Sequence, residues 1–273
     1  MRNPIVDFID SNYKKQTINS ISNIKLYKNE KIHYKYKKFE FLYASLQKNS
    51  NLIVFFHGAI QTSSQLPIFR GYQYYNIPNT DILSISDVLM NIYKKENLLL
   101  SWYLTTPKYP NNFNEYTKII GQVLKKQYKK VIFTGGSGGG FPAIVFSSYF
   151  KKHCLLQNSQ IYINKYSYFD TFLNITENKE EEIQFNIEEI LKKQGPPKRI
   201  FLCQNTRDTN HYKYHAKPFV GFLMDKYPNC VRTLFFYGAT NISPNGSDHH
   251  INLPTSIPNL GVLLQKTFQI INN

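Results

Sequence analysis

The chain has 273 residues, with 33 Lys and Arg against 18 Asp and Glu for a formal net charge of +15, and 42% of it is hydrophobic. That is enough apolar material for one large α/β core, and no segment has the composition of a disordered tail. Cys154, Cys203 and Cys230 make an odd, widely spaced set, which argues against a disulfide framework and predicts a reducing, cytoplasmic setting.

In chain order, residues 31–45 alternate aromatic and polar side chains over two runs, the pattern of an antiparallel hairpin. Leu52 to Phe56 is a continuous apolar run, as in a strand buried on both faces. Further runs of this kind are Ile82 to Ile85, Leu98 to Tyr103, Val131 to Thr134, Cys154 to Leu156, Arg199 to Cys203 and Val231 to Tyr237. Helical spacing falls between them. Residues 113–128 place Tyr116, Ile119, Ile120 and Val123 on one stripe, and residues 140–150 form a mostly apolar helix. Pro142 is tolerable only in a first helical turn, so that helix starts near Gly139. Glu180 to Lys193 reads as a helix stopped by Gly195-Pro196-Pro197, and His211 to Tyr227 and Ser256 to Ile271 are the last two helices. Alternating strands and helices predict a mainly parallel central sheet with helices on both faces and the N-terminal antiparallel hairpin at one edge, in a single domain over 1–273.

No run approaches 18 apolar residues and no signal core opens the chain, so no transmembrane segment is predicted. The expected location is cytoplasmic, at most against the inner face of the membrane. The +15 charge concentrates acidic partners: nucleic acid, anionic lipid, acidic polysaccharide or a phosphate-bearing donor. Its Lys-Lys pairs, such as Lys14/Lys15 and Lys129/Lys130, are spread out as a solvated surface. No zinc-finger spacing or RNA-binding aromatic motif accompanies them, so no specific nucleic-acid partner is predicted.

The stretch that carries chemistry is Thr134-Gly135-Gly136-Ser137-Gly138-Gly139, a G-x-S-x-G between a buried strand and a helix. A nucleophile there must sit on a strained turn that lifts its hydroxyl clear of the sheet. Gly135 and Gly139 leave room where a side chain would collide with the neighbouring strand and helix. The loop lacks the lysine of a Walker-type phosphate loop, and several strands precede it, unlike a dinucleotide fingerprint. Ser137 is therefore the expected nucleophile. Phe56-His57-Gly58-Ala59 follows an earlier strand and supplies a turn beside it. The Ala59 and Gly138 N–H groups are assigned as the oxyanion hole, and His57 as a structural histidine.

The acid is expected after a late strand, which selects Asp208 over Asp170, Asp225 and Asp87; a helix N-cap is its other reading. The base is expected last, on Gly246-Ser247-Asp248-His249-His250, with His249 preferred and His250 open. A metal site built from Asp208, His211 and His215, with Asp248, His249 and His250 adding three more ligands, is a rival reading. Without an H-E-x-x-H or C-x-x-C, no metal is predicted, and His211 and His215 are expected to be exposed.

From about residue 30 to 271 these features resemble the α/β-hydrolase superfamily: H-G after an early strand, G-G-S-G-G at the elbow, then a late Asp and a final His. The elbow, with Asn158 and Gln160 after the next strand, resembles bacterial capsule polysaccharide O-acetyltransferases. The resemblance implies an α/β-hydrolase-like fold and an acetyl group passed from acetyl-CoA to Ser137 and on to a sugar hydroxyl. The implied partners are an acyl-CoA donor and an acidic polysaccharide or oligosaccharide acceptor. Peripheral association with a capsule biosynthesis complex is compatible with them, and no permanently bound cofactor is expected. An esterase or thioesterase with water as acceptor, and a catalytically silent glycan-binding assembly protein, are the alternatives.

Overall fold

The computed structural model describes residues 13–26, 30–45, 50–71, 77–236 and 257–271. The alternating segment forms the hairpin of β2 (Glu30–Tyr36) and β3 (Phe39–Ser45), which turns through Lys37 at φ 53°. A polar strand that the apolar patterning did not announce, β1 (Lys14–Ile18), pairs parallel to β2 at the sheet edge.

The apolar runs become β4 (Asn51–Phe56), β5 (Thr80–Ile85), β6 (Lys130–Ser137), β7 (His153–Ser159), β8 (Arg199–Asn205) and β9 (Val231–Phe236). They join the hairpin in one nine-stranded sheet ordered β1-β2-β3-β5-β4-β6-β7-β8-β9. From β5 to β9 every pairing is parallel, and the antiparallel pairings lie on the hairpin side. Tyr237, the last residue of the expected ninth strand, lies outside the described residues.

Burial on both faces explains why these strands read as unbroken apolar runs. Leu52, Val54 and Phe56 enter one core cluster with Val131, Phe133, Cys154, Leu156, Ile200 and Leu202. The intervening Ile53, Phe55, Ile132, Leu155 and Phe201 enter a second cluster on the opposite face. The first is covered by α1 (Val88–Ile92), α2 (Asn112–Leu124), α3 (Gly140–Tyr149), α4 (Phe169–Thr176) and α5 (Ile187–Gln194). The second face packs against Leu264 and Phe268 of α8 (Ile257–Ile270). Between these in the chain, α6 (Thr209–His211) runs through a π turn, Tyr212–Ala216, into α7 (Lys217–Lys226). Pro218, with no N–H to donate, falls in the first turn of α7, just after the π turn. Among the described residues, no helix is long and apolar enough to cross a membrane.

Three local expectations are corrected. Leu98 to Tyr103 is a buried loop rather than a strand, because Trp102 (φ 48°) and Tyr103 (φ 59°) leave extended geometry. Two of its amides bond to side chains instead of a ladder: Leu99 N–H donates to the Tyr168 hydroxyl at 2.8 Å, and Tyr103 N–H to the Asp87 carboxylate at 2.8 Å. The helix expected from Glu180 begins only at Ile187, where Asn186 Oδ1 accepts the N–H groups of Glu188 and Glu189. It ends as expected, at Gly195 with φ +75°. Finally, His211 and His215 are buried, since the face of α6 and the π turn that carries them packs beneath the loop after β7.

Candidate active site

Ser137 is the last residue of β6 and adopts φ 52°, a left-handed conformation that costs an L-residue about 1–2 kcal/mol. A tight turn follows, and Gly139 is the N-cap of α3. Two glycines make the turn possible. A Cβ on Gly135 would lie 2.1 Å from the Gly139 carbonyl oxygen, and one on Gly139 would lie 2.3 Å from that of Phe56. Both would collide with backbone, which cannot rotate away. Half-buried Ser137 thus stands at the carboxyl ends of the central strands, with the positive end of α3 beside it.

The loop after β4 runs along this elbow. A Cβ on Gly58 would lie 3.2 Å from both the Gly138 nitrogen and Ser137 Cβ, so the two turns are in contact. Ala59 is exposed, and Ile60 N–H is taken by the Leu99 carbonyl at 3.0 Å. Among the described residues, no protein acceptor takes the Ala59 or Gly138 N–H.

His57 is buried and holds the loop. Its Nε2 accepts the Asp87 backbone N–H at 3.1 Å, which makes Nε2 the unprotonated nitrogen. Nδ1 then carries the proton and donates to the Gly58 carbonyl at 2.8 Å. With both ring nitrogens committed to backbone, His57 is a structural residue. Asp87 is equally committed: its carboxylate accepts the N–H groups of Leu89 at 3.2 Å and Tyr103 at 2.8 Å. Burial pushes its pKa up to about 6.

Asp208 follows β8 on a short turn and is 2% exposed. Its Oδ1 accepts the backbone N–H of His211 at 3.3 Å, capping α6, and lies 2.9 Å from His211 Nδ1. Tyr166 lies between the two regions, its ring 6.2 Å from that of His211 and 6.4 Å from that of Trp102. Burial raises its hydroxyl pKa and the Asp208 charge raises it further, while a contact with the Gln160 side chain pulls it down. Asp170 and Asp225 are exposed, and Asp225 pairs with Lys226 at 3.1 Å. His249 and His250 lie outside the described residues. Among the described residues, no group of three or more His, Cys, Asp or Glu is placed to hold a metal ion. Cys154, Cys203 and Cys230 are buried thiols, Cys154 being pushed up to about 12 by burial.

Gln160 is the residue that chemical patterning did not single out; only the resemblance marked its position. Its Nε2 lies 3.2 Å from Ser137 Oγ, and its Oε1 accepts the Trp102 indole N–H at 2.9 Å. No local signal could have joined Trp102 to it across 58 residues. Asn158 turns the chain at φ 40° and accepts the Asn205 N–H at 2.8 Å, tying the end of β7 to that of β8.

No family model matches the chain, and no curated protein does. Solved structures do. The capsule O-acetyltransferase of Neisseria meningitidis serogroup A, as a histidine variant in complex with CoA, is similar at 15% identity and TM-score 0.59, over 91% of this chain and 99% of that one. The acylaminoacyl peptidase of Pyrococcus horikoshii is similar at 16% identity and TM-score 0.56, over 90% of this chain and 42% of that one. Dienelactone hydrolase from Anabaena variabilis is similar at 11% identity and TM-score 0.50, over 85% and 91%. Identities this low speak of architecture alone. The chain has the α/β-hydrolase fold.

Proposed function

We propose that the chain is a serine acyltransferase that moves an acetyl group from acetyl-CoA to a hydroxyl of an acidic, capsule-type polysaccharide through an acyl-Ser137 intermediate. The observation that carries this reading is the strained Ser137 turn at the start of α3, in contact with the Gly58 loop. Strain of this kind is retained where a side chain must be presented. The CoA complex of the similar O-acetyltransferase supports the donor, and the +15 charge supports an anionic acceptor.

In this reading Ser137 Oγ attacks the thioester carbonyl while the base, His249 or its neighbour His250, takes the hydroxyl proton. The Oγ–C bond forms, the C–S bond breaks, and the proton passes to the leaving thiolate. Asp208 orients the base, and the Ala59 and Gly138 N–H groups receive the oxyanion. A sugar hydroxyl then gives its proton to the base and attacks the acyl-serine; the sugar O–C bond forms, the C–Oγ bond breaks, and the base returns the proton to Ser137 Oγ. The esterases and hydrolases among proteins of this fold favour one second reading, in which water takes the place of the sugar.

The test is incubation of the protein and a Ser137→Ala variant with p-nitrophenyl acetate and with acetyl-CoA, following product release and intact mass. An acetyl adduct on the wild type alone supports the nucleophile. Faster consumption of acetyl-CoA when acidic polysaccharide is added separates transfer from hydrolysis. Equal behaviour of the two proteins overturns the serine reading.

A further inference from the structure

Gln160 is fully buried, and both its backbone and its side chain are anchored beside Ser137. Its backbone N–H donates to the Ser137 carbonyl at 2.9 Å. The next two amides, of Ile161 and Tyr162, both donate to His215 Nδ1, at 3.3 and 3.2 Å. The orientation of the amide follows from chemistry. An indole N–H can only donate, so the Gln160 atom 2.9 Å from Trp102 Nε1 is the carbonyl oxygen. The amide nitrogen is then the atom turned to Ser137 Oγ, at 3.2 Å. Trp102 is itself held by edge contacts with Tyr166, Phe169 and Phe172, and by its place in the turn that Asp87 clamps through Tyr103 N–H.

We infer that Gln160 is a positioning residue for the nucleophile, with Trp102 as the lock on its amide. The inference rests on Ser137 being the attacking group. A serine hydroxyl has one proton to give and two lone pairs to receive bonds. The Gln160 N–H occupies a lone pair, so the proton is directed away from Gln160 and left for a base to take. When the base removes that proton, the Gln160 N–H stays in place against the charge left on Oγ. Gln160 gives up no proton in the reaction. An acceptor in its place would do the reverse, drawing the hydroxyl proton toward itself and opposing the charge on Oγ.

The inference is tested with Gln160→Glu, which keeps the shape and an acceptor for Trp102. The introduced carboxyl donates to Ser137 while protonated and accepts once ionised, and burial places its titration above the ordinary carboxylate range. The readout is the rate of Ser137 labelling by a fluorophosphonate, variant divided by wild type, from pH 5.5 to 8.5. Expected is a ratio near one at the acid end, falling about tenfold or more at the alkaline end. A ratio flat with pH overturns the positioning role. Trp102→Phe is the second variant, expected to lower kcat for p-nitrophenyl acetate about threefold or more with KM unchanged. An unchanged kcat there also overturns the inference. A wild type that is not labelled at Ser137 fails one step earlier and removes the nucleophile assignment itself.

Discussion

Asp208 Oδ1 lies 2.9 Å from His211 Nδ1 and 3.3 Å from the His211 backbone nitrogen, so one carboxylate oxygen both caps α6 and grips an imidazole three residues on. An amide can keep the cap but cannot support a charged imidazolium. Asp208→Asn is therefore expected to change stability by less than about 1 kcal/mol, while turnover of p-nitrophenyl acetate falls by about two to four orders of magnitude. Denaturant midpoints and initial rates measure the two effects separately. An Asn variant with wild-type turnover would leave Asp208 as a cap alone.

The same contact makes His211 a competitor for the role of base. If the base is His249 or His250, one of the variants His249→Ala and His250→Ala loses turnover by about 10²–10⁴-fold, and His211→Gln loses only a few-fold. Rates of the three single variants decide the matter. Loss confined to His211→Gln would move the base to the Asp208–His211 pair.

The turn at Ser137 stores strain that can be measured. Ser137→Gly relieves the positive φ and Ser137→Ala does not, so the glycine variant should be more stable than the alanine variant by about 1 kcal/mol. Both should be inactive. Gly135→Ala should instead destabilise by about 2–3 kcal/mol or more, because its Cβ meets backbone at 2.1 Å. Equal urea midpoints for the two Ser137 variants would argue that position 137 carries no strain.

Two buried groups tilt stability in opposite directions with pH. His153, at the start of β7, is pushed down to about 4 by burial, reinforced by Lys198, Arg199 and Lys152. Its unfolded form binds the proton first, so stability falls as pH drops below the ordinary histidine range toward 4. Asp87, raised to about 6 by burial, does the opposite: its folded form holds the proton, so stability falls as pH rises from about 4 to about 6. Between pH 7 and 4.5 the urea midpoint should therefore drop less in His153→Leu than in wild type, and more in Asp87→Asn. Parallel curves for all three proteins would mean that neither group titrates as described.

What the sequence determined by itself is what depends on near neighbours. A run such as Leu52 to Phe56 must leave water on every side, which a strand covered on both faces achieves. The glycines at 135 and 139 mark a turn where backbone meets backbone, and Gly195 marks a helix end, whatever lies beyond. Tertiary structure decided everything that needed a partner from elsewhere in the chain. Leu98 to Tyr103 has the composition of a strand, yet two of its amides are taken by Asp87 and Tyr168 and its backbone turns left-handed at Trp102 and Tyr103. His211 and His215 look like surface residues until the loop after β7 closes over them. The bond from Trp102 to Gln160, and from Gln160 to Ser137, exists only because the sheet order brings three distant segments to one end. Local sterics can be read from spacing, whereas a hydrogen bond between remote side chains depends on the path that the whole chain takes.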